Sequence, residues 1–176
     1  MIKKLVILFL TIVISSCATQ DVIQTPSDSK LAKDIDAFMT SWHQAASDSD
    51  FENYFKKMDS ESMFMGTDSS ENWAKQQFED YSKPYFDKGE TWNFKTLERN
   101  IYSNESKSMI WFDELLDTWM GVCRGSGVIE LENAEFKIKQ YVLSLTIPNE
   151  DIQRVIDAKR INDNRILEQL KSRLKS

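Results

Sequence analysis

The sequence predicts an α+β fold, with helices first and an antiparallel sheet after them. Three observations carry this. Apolar residues between Leu31 and Ala46 recur at helical spacing. Between Thr91 and Ile147 the period changes to 2 over four successive segments. After Pro148 it returns to a helical period up to Lys175.

In the first helix, Leu31, Ile35, Phe38, Met39, Trp42 and Ala45 form one stripe. A short second helix is expected over Phe51–Lys57, with Phe51, Tyr54 and Phe55 inward. Residues 62–66 then read as a brief strand ending at Gly66. Asp68, with Glu71 three places on, has the spacing of a capping box, so a third helix is expected to begin there and run through Trp73, Gln77, Phe78 and Tyr81. Pro84 is expected to stop or kink it.

The four strands are expected at Thr91–Tyr102, Ser108–Thr118, Gly121–Leu131 and Glu135–Ile147, as an antiparallel meander. Asn104-Glu105 and Glu132-Asn133 are the expected hairpin turns. Gly125-Ser126-Gly127 lacks the lysine and helix of a phosphate loop and reads as a bend or a close backbone approach. Asn149 caps a last helix over residues 150–175, whose apolar side is interrupted between Lys159 and Asn164, so it is expected to bend there or to dock at its two ends.

The N-terminus carries the address. Lys3 and Lys4 precede an apolar run from Leu5 to Ile14, then Ser15-Ser16-Cys17. This resembles a bacterial lipoprotein signal cut before Cys17, whose thiol would be diacylated. The run is shorter than the roughly 20 residues that span a bilayer. The expected organisation is a signal peptide (residues 1–16), a lipidated cysteine and flexible tether (17–30), one folded domain (31–149) and a helical extension (150–176). The expected location is the cell envelope, held to a membrane by lipid on Cys17. Without residues 1–16 the chain keeps 20 basic and 28 acidic residues. That balance argues against nucleic acid. Cys123 is then the one other cysteine, a small buried apolar residue with no disulfide partner in the domain. His43 is the single histidine, so a histidine-rich metal site is excluded; no metal or cofactor is expected.

Three groups of residues carry a family resemblance: Trp42-His43-Gln44-Ala45 ahead of Asp50 and Tyr54-Phe55; Gly66 through Trp73; and Trp111-Phe112-Asp113-Glu114, Arg124 through Val128, Phe136-Lys137-Ile138, Ser144 and Ile147-Pro148-Asn149. Together they resemble the SnoaL-like branch of the nuclear transport factor 2-like superfamily, over about residues 31–149. The resemblance implies a cone of three helices leaning on a strongly bent sheet, with a cavity open at one end. It implies relatives that are isomerases, cyclases, hydrolases or non-catalytic binders, and pairing with a second copy through the outer sheet face as a common arrangement. One fold serves many chemistries, so the site must decide.

If Trp111, Asp113 and Leu115 share the face that lines the cone, Asp113 is a partly buried carboxylate suited to proton transfer. A hairpin register that sets Arg124 opposite Asp113 makes them either a structural ion pair or a catalytic one, and a slip of one residue turns Arg124 to the other face. His43, at the margin of the first helix's stripe, looks into the cavity mouth or sits at the boundary with one hydrogen bond. Trp42, His43, Phe64, Trp73, Trp92, Trp111 and Tyr141 are the expected pocket wall for a small apolar or amphipathic ligand, with core packing as the plainer role for the same rings. The expected function is such binding without turnover. The alternatives are a protein-interaction module using the outer sheet face or the last helix, and an isomerase, cyclase or hydrolase using Asp113 with Arg124.

Overall fold

A computed structural model describes residues 29–174. The expectations for the signal, Cys17 and most of the tether lie outside the described residues. Helix α1 (Ser29–Ser47) is followed by α2 (Phe51–Lys56), strands β1 (Met58–Met65) and β2 (Asn72–Ala74), and helix α3 (Lys75–Lys88). Strands β3 (Lys95–Ser103), β4 (Met109–Thr118), β5 (Gly121–Glu132) and β6 (Glu135–Leu145) come next, then a 3-10 turn (Asn149–Asp151) and helix α4 (Ile152–Arg173). The sheet order is β2-β1-β6-β5-β4-β3. The expected meander forms, and β1 joins its β6 edge in parallel.

The core is the α1 stripe meeting the inner sheet face. Ile35, Met39, Trp42 and Ala46 are buried on one side, and Ile110, Phe112, Leu116, Ile129 and Ile138 on the other. Such side chains contribute about 1.5–3 kcal/mol each on burial. Cys123 is wholly buried and free, as its apolar role requires.

Several local readings need correction. No helix begins at Asp68. Its carboxylate accepts from the Ser70 backbone N–H (2.8 Å) and hydroxyl, while Glu71 Oε2 accepts from the Asp68 N–H at 3.1 Å. The box-like spacing therefore closes a turn, and Gly66 makes room for it: a Cβ there would lie 2.1 Å from Glu71 Oε2. Trp73 follows as a strand residue opposite Phe64. The helix starts later, where Gln77 Oε1 accepts from the Ala74 N–H at 2.9 Å. Pro84 lies inside α3 and does not end it; Gly89, at φ 70°, does. The second hairpin turns at Asn133-Ala134, both at positive φ, with Glu132 paired to Glu135.

Helix α4 runs unbroken from Ile152 to Arg173 and has no buried residue, so it docks on the domain at neither end. No helix among the described residues is long and apolar enough to cross a membrane.

Candidate functional site

The inner face of β4 is set by Ile110, Phe112, Glu114, Leu116 and Thr118, all buried. Asp113 therefore points outward, contrary to the expectation that it lines the cone. Both parities of β4 carry apolar residues, so alternation alone left the phase open. Arg124 is outward too, because β4 pairs Leu115 with Arg124 and Asp113 with Ser126, two residues from the expected register. A two-residue shift preserves the face, and the pair survives as a diagonal contact of 3.5 Å at an exposed position. Asp113→Asn is expected to change stability by less than about 1 kcal/mol in a thermal melt. Trp111 shares the outer face, stacked on Tyr102 at 6.3 Å, and so leaves the pocket wall.

The inward carboxylate is the next residue, which the sequence reading passed over. Glu114 is fully buried. Its Oε1 accepts from His43 Nε2 at 2.8 Å and from the Tyr141 hydroxyl at 2.9 Å. Its Oε2 accepts from Arg99 Nε at 2.9 Å and Nη2 at 2.7 Å. Arg99 also donates to the Asp36 carbonyl and carboxylate on α1 and to Thr96 on its own strand. A register shift between Thr96 and Glu98 lets residues three apart on β3 both face inward. The network thus ties α1 to β3, β4 and β6. A signal for it existed in Glu114 sharing the parity of Ile110, Phe112 and Leu116.

Burial alone would raise the Glu114 pKa. The His43 hydrogen bond and charge, then the Arg99 charge and hydrogen bonds, outweigh it and hold the carboxyl below its ordinary value. Burial and the neighbouring Glu114 charge push the Tyr141 hydroxyl well above its ordinary value, so it remains a donor. A carboxylate only accepts, so His43 Nε2 carries the proton; in the neutral ring the lone pair sits on Nδ1. Nδ1 has no hydrogen-bond partner among the described residues.

Tyr141 on β6 reaches Glu114 on β4 across β5, and glycine makes this reach available. A Cβ on Gly125 would lie 2.3 Å from Tyr141 Oη. A Cβ on Gly127 would lie 2.5 Å from the Gln140 carbonyl and 2.9 Å from the Phe112 ring. The two glycines are close-approach positions in a regular strand.

His43 and Tyr141 line one side of a cavity of about 180 Å³. Trp42, Phe64, Trp73 and Trp92 line it as well, so six of the seven expected wall residues meet there. The rings stack on one another: Trp42 on Tyr54 at 4.7 Å, Phe64 on Phe78 at 3.9 Å, Trp73 on Tyr81 at 4.5 Å. Trp42 is 1% exposed, and its indole N–H has no partner among the described residues. Trp119, on the β4–β5 turn and 83% exposed, stands at the mouth. A shallower groove of about 540 Å³ adjoins it, sharing Tyr81, Trp92 and Trp119. No group of three or more metal-ligating side chains occurs among the described residues.

Solved structures share this architecture. A domain of unknown function with a cystatin-like fold from Nostoc punctiforme superposes with a TM-score of 0.60 at 10% identity, covering 85% of this chain and 100% of that one. An NTF2-like protein of unknown function from Pseudomonas putida gives 0.57 at 10% identity, covering 70% and 92%. A putative calcium/calmodulin dependent protein kinase II association domain from Xanthomonas campestris gives 0.52 at 16% identity, covering 67% and 89%. No curated protein matches the sequence. The profile of the SnoaL-like domain matches residues 35–148. With that span, this topology and this cone, the chain belongs to the SnoaL-like family of the nuclear transport factor 2-like superfamily.

Proposed function

We propose that this protein binds a small, flat, largely apolar molecule with one or two hydrogen-bonding groups, as a lipid-anchored domain of the cell envelope. The cavity carries the reading: aromatic walls with a polar pole made by His43 and Tyr141. Its volume of about 180 Å³ admits a ligand of one or two fused rings. Lipid anchoring rests on the residues before Cys17, and mass spectrometry of the N-terminal peptide tests it: a diacylated Cys17 is expected, and a free thiol there removes the anchor.

Binding is tested by titrating phenol, indole, 2-naphthol and 2-indanone against tryptophan fluorescence and heat release. Saturable sub-millimolar binding by at least one ring compound is expected, since about ten atoms at roughly 0.5 kcal/mol each give that range. If none of the four binds, the reading fails. Trp119→Ala is expected to weaken binding about five- to ten-fold through lost ring contact. Because Trp119 is exposed, its melting temperature should stay within about 1 °C of the parent.

Proton transfer on the bound molecule is the second reading, favoured by one observation: Glu114 holds His43 at the cavity wall with its Nδ1 unpartnered. It replaces the Asp113–Arg124 version of an enzyme, which the outward face of both residues leaves without a cavity. Exchange of the α-protons of 2-indanone in deuterated water, followed by NMR, checks it. Acceleration that disappears in His43→Gln supports catalysis; exchange at the buffer rate supports binding alone.

A further inference from the structure

We propose that α4 pairs antiparallel with α4 of a second copy, about a two-fold axis at the level of residue 161, on the side of the helix opposite the Ile161 side chain. The proposal is independent of the cavity's function. Helix α4 carries an apolar seam largely in the open: Ile152, Ile156, Leu167 and Leu170 are each 44–48% exposed, Val155 and Ile166 are half-buried, and no residue of the helix is fully buried. Apart from Leu174 at the C-terminal end, the order of apolar residues on that seam reads the same from either end. Ile152, Val155 and Ile156 lie before its centre, and Ile166, Leu167 and Leu170 lie at mirror positions after it. At 100° per residue all six fall within one face, with Lys159 and Asp163 between them.

The mirror order selects the partner. In an antiparallel pair centred at Ile161, Ile152 meets Leu170 of the second copy, Val155 meets Leu167, and Ile156 meets Ile166. Lys159 then meets Asp163, twice over by symmetry. Within one helix these two already form an ion pair of 3.4 Å. The charges that interrupt the seam, which would spoil it for a purely apolar partner, are complementary to themselves in this register and misplaced in most others. In a parallel pair Lys159 would face Lys159 and Asp163 would face Asp163. The Arg160 side chain near the axis is held by Asp157 of its own helix.

A helix of 22 residues is about 33 Å long, so the buried area falls below that of a standard interface. The dimer is accordingly weak, with a dissociation constant on the order of micromolar. Confinement of both copies to one membrane would raise their effective concentration.

Sedimentation of the full chain in a non-denaturing detergent tests the pairing. Lys159→Asp and Asp163→Lys should each weaken the dimer ten-fold or more. Mixing these two variants should restore it, because opposite charges then face each other across the seam. Each helix in the mixture still carries like charges four residues apart, so a change in helix stability cannot produce the rescue. Direction is read by oxidation: a disulfide is expected when Ile156→Cys and Ile166→Cys chains are mixed, and not with either alone. A chain that stays monomeric at 100 µM overturns the proposal. So does a dimer indifferent to both charge reversals, which would be paired through another face, and so does cross-linking by Ile156→Cys alone, which reports parallel helices.

Discussion

Glu114→Ala is expected to destabilise the protein by about 3–5 kcal/mol, because it leaves the buried Arg99 guanidinium without its main counter-charge. In a domain of this size that is a fall of about 10 °C in melting temperature. Arg99 keeps Asp36 and Thr96, but Asp36 is itself solvent-exposed and cannot replace a buried carboxylate. The loss reaches further, since His43 and the Tyr141 hydroxyl lose the acceptor they share. Arg99→Ala should cost a similar amount, and the double variant less than the two together, with a coupling of about 2–3 kcal/mol. Additive losses would mean that the pair does not act as a unit. The pH dependence has a definite sign. The Glu114 pKa is lower in the folded state than in the unfolded chain, so the unfolded chain binds more protons as acid is added. The carboxylate's contribution is complete above its ordinary value of 4.5 and is lost as pH falls through the lowered folded value. Denaturant melts of Glu114→Gln should lack that part of the acid slope; an unchanged slope would place the acid sensitivity elsewhere.

Gly125→Ala is expected to cost about 3 kcal/mol, an unusual loss for one added methyl on a strand. The methyl would meet Tyr141 Oη at 2.3 Å and Glu114 Cγ at 3.0 Å, and both side chains are buried and held by the hydrogen bond between them. Overpacking accounts for roughly 1–3 kcal/mol, and the broken Tyr141–Glu114 hydrogen bond for about 1–2 more. Tyr141→Phe in the Gly125→Ala background should recover about 1 kcal/mol, since it removes the atom in closest conflict. A Gly125→Ala protein that melts with the parent would show that the strand yields and the close approach is not required. If a ring compound binds the cavity, Gly125→Ala should also weaken that binding, because Tyr141 lines the wall it disturbs.

The architecture was largely legible in the sequence, for a physical reason. The α1 stripe and the four period-2 segments are local patterns whose period reports burial directly, and they return as α1 and the meander. Trp42, His43, Phe64, Trp73, Trp92 and Tyr141 could be named as wall residues because aromatic side chains in a small cone have one interior to fill. Punctuation was legible less well. Asp68 and Glu71 satisfy each other's backbone whether a helix or a turn follows, so their spacing could not say which. Pro84 is tolerated within α3, and Gly89 ends the helix.

What the sequence by itself determined was the set of groups: one histidine, a sheet built by alternation, a bend or close approach at Gly125-Ser126-Gly127, and a last helix with an apolar side. What only the tertiary structure decided was phase and partnership. A strand with apolar residues at both parities can present Asp113 or Glu114 to the core, and one residue of phase exchanges them. The face is chosen by the best total packing of β4 against β3, β5 and α1. That packing is a sum over contacts distant in the chain, and it brings Arg99 and His43 to the same carboxylate. It also leaves α4 uncovered, which no local pattern could report, because an apolar stripe is the same whether or not anything meets it.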